Sequence, residues 1–180
     1  MLAEKEYGVL KKHRNAVLFV LGSSLGCAVM INEKLYCGNT NQAGAMFMMP
    51  EYYDGDSYRY DEKANSIKLT KEYDFSLKSG NMLMLEKAAL QNDEKAAALL
   101  EAYAKAVALK VWYSYLMYDP EVVVIGGGIA NSDYIVGKIK DSLNALFQKD
   151  KSARKPLLVK TLFAEDSNLL GAYLLGINNE

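Results

Sequence analysis

The sequence predicts an α/β fold in which a mixed sheet carries helices on its faces. Three short apolar segments near the N-terminus are spaced as hairpin strands, and two later apolar segments are each followed by a helical pattern. A long helical pattern separates the two groups. Hairpin strands run antiparallel, whereas strands connected through a helix run parallel. Together these observations predict a sheet with both kinds of pairing and with helices packed against it.

The first forty residues contain a short helix and the three hairpin strands. Residues 1–10 carry a helical pattern that ends near Gly8, where a glycine can supply a left-handed cap. Residues 17–38, VLFVLGSSLGCAVMINEKLYCG, alternate apolar strands with a GSSLG turn and a polar reversal. A hairpin needs only Asn-Gly or Asp-Gly, so a turn over residues 22–26 is longer and richer in donors than the connection requires.

The segment after the hairpins has no regular pattern. Residues 42–50 are apolar and rich in methionine. Residues 51–66, EYYDGDSYRYDEKANS, are acidic and rich in tyrosine and show neither a helical nor a strand period. We therefore expect a loop or excursion on the surface, and we expect a helix to open over residues 83–89.

The strongest helical pattern covers residues 92–118. Asn92 or Asp93 can cap its N-terminus, and Asp119-Pro120 should end it, since proline disfavours helical backbone in the residue before it. The C-terminal half of this helix is apolar nearly all round, so we expect it to be buried against the sheet.

Two strand-helix units close the chain. Residues 122–125 form an apolar strand that leads through three glycines to a capping residue near Asn131 or Ser132 and an amphipathic helix ending near Phe147. After a basic linker, PLLVKTLF predicts another strand and AEDSNLLGAYLLGI a last helix containing Gly171.

The composition argues against several classes of function. The 21 basic and 22 acidic residues leave a formal net charge of −1, so we expect no nucleic-acid binding through this chain and no membrane partner. No apolar run approaches the roughly 20 residues of a membrane-spanning helix. Cys27 and Cys37 are expected to be reduced core thiols of a cytoplasmic protein. His13, the sole histidine, lies in a basic cluster that predicts a solvated loop, so no Ser-His-Asp triad is expected.

Three glycine-containing turns are candidate sites for an anionic or nucleotide ligand. Successive backbone NH groups over residues 22–26 can form an anion-binding concavity. At Gly126-Gly127-Gly128 a strand runs into a helix N-terminus, where a ligand can approach the backbone closely. A third helix start lies at residues 166–171. Taken singly, each of these signals also fits an ordinary turn.

In their order along the chain, these segments resemble the C-terminal lobe of the ROK family of sugar kinases and sugar-responsive repressors. GSSLG stands where the family has Gly-Thr-Gly-Ile-Gly, and INEKLYCGNTNQAG is similar to its next hairpin. DPEVVVIGGGIA resembles its Asp-Pro-Glu strand and adenosine turn, and EDSNLLGAYLLG its closing segment. The resemblance runs from Leu2 to the end of the chain, apart from residues 50–80.

The resemblance implies a ribonuclease-H-like, actin-like ATPase fold. It also implies that residues 1–180 form one lobe, with the tyrosine-rich excursion at about residues 50–80. By the same resemblance, phosphates would lie against one turn and adenosine against the other. The residues implied are Gly22, Ser23, Ser24 and Gly26 for phosphate, and Gly126, Gly127 and Gly128 for adenosine.

Several family features are absent from this sequence. The sugar-binding Glu and His of the family fall on Ala45 and Met48, which cannot accept hydrogen bonds from a sugar hydroxyl as those residues do. The cysteine-rich zinc loop has no counterpart, and Cys27 and Cys37 lack its spacing, so we expect no zinc and no other metal site. Ser24 replaces a glycine of the phosphate turn. The family's catalytic aspartate precedes the segment that this chain resembles.

Three functions fit these observations. Retained architecture with lost sugar and zinc residues favours a non-catalytic lobe that binds an effector or mediates oligomerisation in a sugar-responsive transcriptional regulator. The alternative is the C-terminal lobe of an ATP-dependent sugar kinase, for which Mg-ATP would be the ligand and which would be inactive without its catalytic aspartate. The third is a protein-interaction domain, for which Tyr52, Tyr53, Tyr58 and Tyr60 are the candidate contacts.

A homo-oligomer is expected on separate grounds, because a lobe without its sister lobe exposes apolar surface that drives association, and the family resemblance implies a dimer. Residues 46–49, MFMM, are one candidate contact, although filling of the core explains the same methionines. A sugar or a nucleotide is the expected small-molecule ligand.

Overall fold

The computed structural model describes residues 1–54, 57–60, 63–76, 81–149, 154–163 and 166–177. The strands are β1 (Ala16–Leu21), β2 (Leu25–Ile31), β3 (Lys34–Tyr36), β4 (Pro50–Asp54), β5 (Ser57–Tyr60), β6 (Val122–Gly126) and β7 (Leu157–Lys160). The helices are α1 (Leu2–Glu6), α2 (Ser66–Tyr73), α3 (Met82–Leu90), α4 (Glu94–Tyr118), α5 (Asp133–Lys149) and α6 (Ser167–Ile177). Short 3-10 segments cover Met46–Met48 and Gly128–Asn131.

The main sheet has five strands in the order β3-β2-β1-β6-β7. β1 pairs antiparallel with β2 and parallel with β6, and β6 pairs parallel with β7. Hairpins thus build one half of the sheet and strand-helix units build the other. The predicted mixed sheet with flanking helices is confirmed.

The central strand β1 is buried on both faces, which explains why it reads as a continuous apolar run. Val17, Phe19 and Leu21 point into the larger core, together with residues from α4 and α5. Ala16 and Leu18 point to the opposite face, where the smaller core includes Leu10 and Val124. Alternation of side chains along a strand produces this division.

Caps fix the ends of the helices beside the sheet. The Asp93 carboxylate accepts a hydrogen bond from the Ala96 amide at 2.9 Å, and Asp119 ends α4 in the left-handed conformation with φ 43°. The Ser132 hydroxyl accepts one from the Ile135 amide at 2.9 Å at the start of α5. The structure thus selects Asp93 and Ser132 from the two pairs of capping candidates, and Asp119 ends α4 as expected.

Residues 51–66 were expected to form a loop or excursion, and the lack of regular structure in that expectation is wrong for the described part of the segment. Pro50–Asp54 and Ser57–Tyr60 pair as an antiparallel hairpin, and Asn65 caps the helix α2 that follows. Tyr52 and Tyr53 belong to the first of these strands and Tyr58 and Tyr60 to the second, while their side chains lie outside the described part of the structure.

A buried carboxylate joins the start of the described chain to its end. Glu4 on α1 is fully buried, and it accepts hydrogen bonds from the backbone amides of Leu162 at 3.0 Å and Phe163 at 3.2 Å. It also accepts one from the Val9 amide at 3.1 Å. Several donors on one carboxylate compensate for its removal from water, and they hold α1 beside α6.

Within the described ranges, no helix combines the length and the apolar character that crossing a membrane requires.

Candidate functional site

The two main glycine turns meet at the carboxyl ends of the neighbouring parallel strands β1 and β6. Gly127 has φ +85°, and a Cβ at this position would lie 2.9 Å from the Leu21 carbonyl carbon and closer still to its oxygen. A Cβ at Gly126 would lie 2.7 Å from a methyl of Thr161, just after β7. The absence of side chains at both residues therefore allows three strand ends to pack together.

The first turn is tighter than its sequence predicts. Leu21 of β1 and Leu25 of β2 are paired across the antiparallel hairpin. The loop between the strands therefore consists of Gly22, Ser23 and Ser24 alone. The Gly22 amide donates to the Ser24 carbonyl at 3.1 Å, so this amide is engaged within the loop. Gly26, expected in the turn, instead lies in β2 opposite Val20. Gly22 and the exposed Ser23 are the residues of this loop that line a cleft.

Two clefts adjoin these turns and share Leu21, Gly22 and Gly128. One encloses about 260 Å³ on the α1 side of the sheet and is also lined by Gly126, Gly127, Thr161 and Ser167. The other encloses about 310 Å³ beside the start of α3 and includes Ser23. Among the described residues, no charged side chain lines either cleft. The structure therefore brings Gly22, Ser23 and the three adenosine candidates together at these clefts, whereas Ser24 and Gly26 are not among the lining residues.

A larger cleft of about 510 Å³ lies between α4 and α5, away from the glycine turns. Part of its polar rim is paired internally, because Glu101 forms ion pairs with Lys105 at 3.4 Å and Lys138 at 3.5 Å. Size alone therefore does not make it the functional site. We regard it as a groove between two helices whose charged rim belongs to the surface of α4 and α5.

A buried lysine fixes the turn that contains Ala45 and Met48. Lys110 on α4 is 1% exposed, and its ammonium donates to the carbonyl of Met46 at 3.1 Å and to that of Met49 at 2.9 Å. Neither Ala45 nor Met48 lines the two clefts at the glycine turns. The structure thus separates these two predicted residues from the phosphate and adenosine residues.

Comparison with known proteins decides the family, because the model of the ROK family matches residues 1–179. The chain belongs to the ROK family. An N-acetyl-D-glucosamine kinase of Pasteurella multocida is 25% identical over 175 residues, which cover 87% of this chain and 57% of the relative. The kinase of the same description from Histophilus somni is 26% identical over 88 residues, covering 49% of this chain and 28% of that protein. The chain therefore spans a little over half of the longer-matching relative.

Solved ROK structures share the fold. The hexokinase of Thermus thermophilus superposes with a TM-score of 0.82 at 20% identity, covering 99% of this chain and 63% of that one. A Streptomyces griseus glucokinase solved with glucose and AMPPNP gives 0.81 at 18% identity, covering 96% and 64%. A ROK transcriptional regulator, a homologue of the Escherichia coli MLC protein, gives 0.71 at 18% identity, covering 96% and 48%. The actin-like ATPase fold is thus confirmed, and both kinases and regulators share it.

The ROK chain differs from the sequence-based expectation at its cysteines. Cys37 is exposed, so it is not a core thiol as predicted. Cys27 is partly buried against the larger core, and burial raises its pKa to about 12. Both thiols are free. No group of three His, Cys, Asp or Glu side chains suited to a metal ion occurs among the residues that the structure describes.

Sequence reasoning missed the role of Glu121, the glutamate of the Asp-Pro-Glu segment. Its carboxylate accepts hydrogen bonds from the Asn15 amide at 3.2 Å and the Arg14 amide at 3.3 Å, and it pairs with His13 at 3.3 Å. Partial burial acts to raise the pKa of Glu121, but these hydrogen bonds outweigh it and lower the pKa. His13 is therefore held at the start of β1 and is not part of a freely solvated loop.

Proposed function

We propose that this chain is the nucleotide-binding lobe of a ROK protein of the sugar-kinase type. The observation that carries the proposal is the convergence of the two glycine turns on adjoining clefts. Gly22 and Gly128 line both clefts, and residues without side chains let a phosphate or a ribose approach the backbone.

The hydrogen-bonding groups of the site suit phosphate oxygens. The Ser23 hydroxyl lines the cleft beside α3, and Thr161 lines the other, where the hydroxyl of the neighbouring Ser167 already donates to Glu4 at 3.4 Å. Hydroxyl groups can donate to anionic oxygens without bringing a fixed charge. Since no described carboxylate lines either cleft, magnesium would enter with the nucleotide and be held by its phosphates.

The same site does not support sugar phosphorylation by this chain alone. Phosphoryl transfer to a hydroxyl needs a base within hydrogen-bonding reach of the acceptor. No Asp, Glu or His is among the described residues that line the two clefts, and Ala45 and Met48 provide neither a base nor a ligand for the sugar. The proposed activity is therefore nucleotide binding, with the acceptor site and the base supplied from outside this chain.

The test is a titration of the chain with Mg-ATP, followed by thermal unfolding. Nucleotide at 100 times its dissociation constant should stabilise the folded chain by about 2.7 kcal/mol. The blocking variant is Gly22→Leu, because a Cβ at Gly22 meets nothing nearer than 3.9 Å and a larger side chain can therefore fill the shared part of the clefts without disturbing the backbone.

The matched control is Gly137→Leu on α5, where a Cβ has no neighbour within 4 Å and no cleft is affected. We expect Gly22→Leu to abolish the effect of Mg-ATP and Gly137→Leu to retain it. Absence of any Mg-ATP effect on the wild-type chain would show that the proposal is wrong.

A second candidate is the effector-binding or oligomerisation lobe of a sugar-responsive regulator. The apolar replacements at Ala45 and Met48 favour it, since they remove kinase-type sugar contacts while the fold remains. The same titration separates the two functions. The regulator function predicts stabilisation by a sugar such as N-acetylglucosamine and no response to Mg-ATP.

A further inference from the structure

The groove between α4 and α5 is a surface separate from the glycine turns. It encloses about 510 Å³ and shares no lining residue with the two clefts at those turns. The half-buried Leu109 and Leu146 form its apolar floor together with Ala145. Ala145 is exposed, and its small side chain leaves room above α5. An apolar floor therefore lies open between two helices.

The two helices run in the same direction along this α4–α5 groove. Glu101 pairs with Lys138 at 3.5 Å near one end, and the rings of Tyr115 and Phe147 are 5.0 Å apart further along both helices. On α5 the wall runs from Lys138 to Lys149, which is about 16 Å or three helical turns. The groove therefore has the length of a short helical segment, and a further helix packs into grooves of this kind through its own apolar side chains.

The charges on the rim of the groove are unequal. Three lysines line it against two carboxylates, those of Glu101 and Asp141. Glu101 faces two of these lysines, Lys105 at 3.4 Å and Lys138 at 3.5 Å. Lys149, at the other end, forms no ion pair within the described part of the chain. An acidic group in the groove would find an uncompensated positive charge there.

Two more cationic residues lie beside the same end of the groove. The Arg154 amide donates to the Tyr115 hydroxyl at 3.1 Å, and the Lys155 ammonium donates to the side-chain oxygen of Asn144 on α5. Because Asn144 is neutral, this contact leaves the charge of Lys155 uncompensated. The whole chain has a formal net charge of −1, so the positive end of the groove is a local feature of this surface.

We propose that the α4–α5 groove binds an acidic amphipathic helix of a partner protein. The apolar side chains of that helix would lie on Leu109, Ala145 and Leu146, and its carboxylates would face Lys149. The open rim favours a long occupant over a small molecule, since the Lys105 side chain is 67% exposed and small-molecule sites bury most of their ligand. A second copy fits less well, because the exposed helix α6 contains no charged residue over Ser167–Ile177 and offers Lys149 no carboxylate.

The experiment measures binding of two labelled peptides to the full chain by fluorescence anisotropy. Both peptides are amphipathic helices with leucines at positions i, i+4 and i+7, and they differ only in having glutamates or lysines beside the leucines. The groove variant is Ala145→Gln, which places an amide on the apolar floor. Its matched control is Ala172→Gln, at an exposed position of α6, which packs against α1. The charge variant is Lys149→Gln, and its matched control is Lys140→Gln, at an exposed lysine of α5 outside the groove.

We expect the wild type to bind the glutamate peptide about tenfold or more tightly than the lysine peptide, because like charges repel across an interface. Ala145→Gln should weaken binding of the glutamate peptide by about tenfold, since a polar group would be buried against its leucines. Lys149→Gln should weaken it by about twofold to fivefold, the range of an exposed ion pair. Both control variants should bind as the wild type does.

Several results would overturn the proposal. Equal affinity for the two peptides excludes the acidic partner, and unchanged binding of the glutamate peptide in Ala145→Gln excludes the groove. The proposal also fails if the wild type does not bind the glutamate peptide at about 1 mM, the weak end of specific association. In sedimentation of the chain alone, an oligomer lost in Ala145→Gln and kept in Ala172→Gln would assign the groove to a second copy. Flotation with phosphatidylglycerol vesicles that is lost in Lys149→Gln and kept in Lys140→Gln would assign it to a membrane surface.

Discussion

Gly127 and Leu21 are packed so closely that no side chain fits between them. A Cβ on residue 127 would lie 2.9 Å from both the amide nitrogen and the carbonyl carbon of Leu21, and residue 127 has φ +85°. Contacts under 3.0 Å are not sustained by real Cβ atoms, so a substitution must displace one of the two turns. This glycine, an adenosine-binding candidate in the sequence analysis, is therefore a structural requirement of the strand junction.

Gly127→Ala should destabilise the chain by about 2 to 4 kcal/mol, from overpacking together with the positive φ. It should also weaken the response to Mg-ATP, because both clefts change shape. The control is Gly137→Ala within α5, where the added methyl meets nothing within 4 Å. Alanine there should stabilise the helix by about 0.5 to 1 kcal/mol. Urea unfolding measures both changes, and equal effects of the two variants would contradict the packing argument.

Lys110→Met should destabilise the chain by about 2 to 3 kcal/mol, because the carbonyls of Met46 and Met49 lose a charged donor. Lys105→Met is the matched control on the same helix, since the Lys105 side chain is 67% exposed. Its loss should change the free energy of unfolding by less than about 0.5 kcal/mol. Urea unfolding of the two variants is the measurement. If Lys110→Met is as stable as Lys105→Met, the turn at residues 46–49 does not depend on the ammonium.

The elements that sequence predicts correctly are those determined by neighbours in the chain. The cap at Asp93, the stop at Asp119 and the cap at Ser132 depend on residues three to four positions away. The strand β6 follows from a short apolar run beside glycine. Local chemistry of this kind is visible in one sequence, so the mixed sheet and the long helix could be anticipated.

The features that escape prediction depend on distant partners. Lys110 contacts carbonyls 61 and 64 positions away, and Glu4 holds amides about 158 positions away. Nothing near either residue indicates such a partner. The β4–β5 hairpin was missed because its tyrosines and aspartates do not alternate as apolar and polar residues do. Asn81 resembles any other capping residue in sequence, and only the structure shows that its side chain does not cap.

The two thiols should differ strongly in reactivity. Cys37 is exposed, whereas burial raises the pKa of Cys27 to about 12. At pH 8 Cys27 would therefore be almost entirely the thiol, whereas the thiolate is the reactive form. Alkylation of the native chain at this pH, followed by peptide mass spectrometry, should label Cys37 and leave Cys27 unmodified. Labelling of both at similar rates would contradict the burial of Cys27, and Cys37→Ser provides the control.

Glu121 should contribute stability that is lost in acid. Burial acts to raise the pKa of its carboxyl, but hydrogen bonds from His13 and from backbone amides outweigh it. The pKa is therefore lowered from its ordinary value of 4.5. A lowered folded-state pKa means that the stabilisation is present above about pH 4.5 and disappears as the pH falls through the folded-state value. Because the side chain is 42% exposed, solvent screening limits the effect to less than about 1 kcal/mol.

The measurement compares wild type with Glu121→Gln by urea unfolding across a series of pH values. The wild type should be the more stable at neutral pH, and the difference should shrink below about pH 4.5. Glu6→Gln on α1, an exposed position, is the control and should show no such trend. If the stability advantage of the wild type over Glu121→Gln instead grows as the pH falls, the carboxylate does not have the proposed role.

Helix α6 should mediate self-association of the chain. Leu169, Tyr173 and Ile177 follow one another at intervals of four residues, which places them on one face, and they are 74%, 63% and 48% exposed. Exposed apolar faces of this kind favour association. The double variant Leu169→Glu with Tyr173→Glu should therefore sediment as a smaller species than wild type over a range of protein concentrations.

The matched control places the same two charges at Phe47 and Met48, which are 43% and 56% exposed beside the buried Met46. If the oligomer dissociates in the control variant and not in the α6 variant, the contact lies at residues 46–49. A wild-type chain that stays monomeric at every concentration would exclude both surfaces.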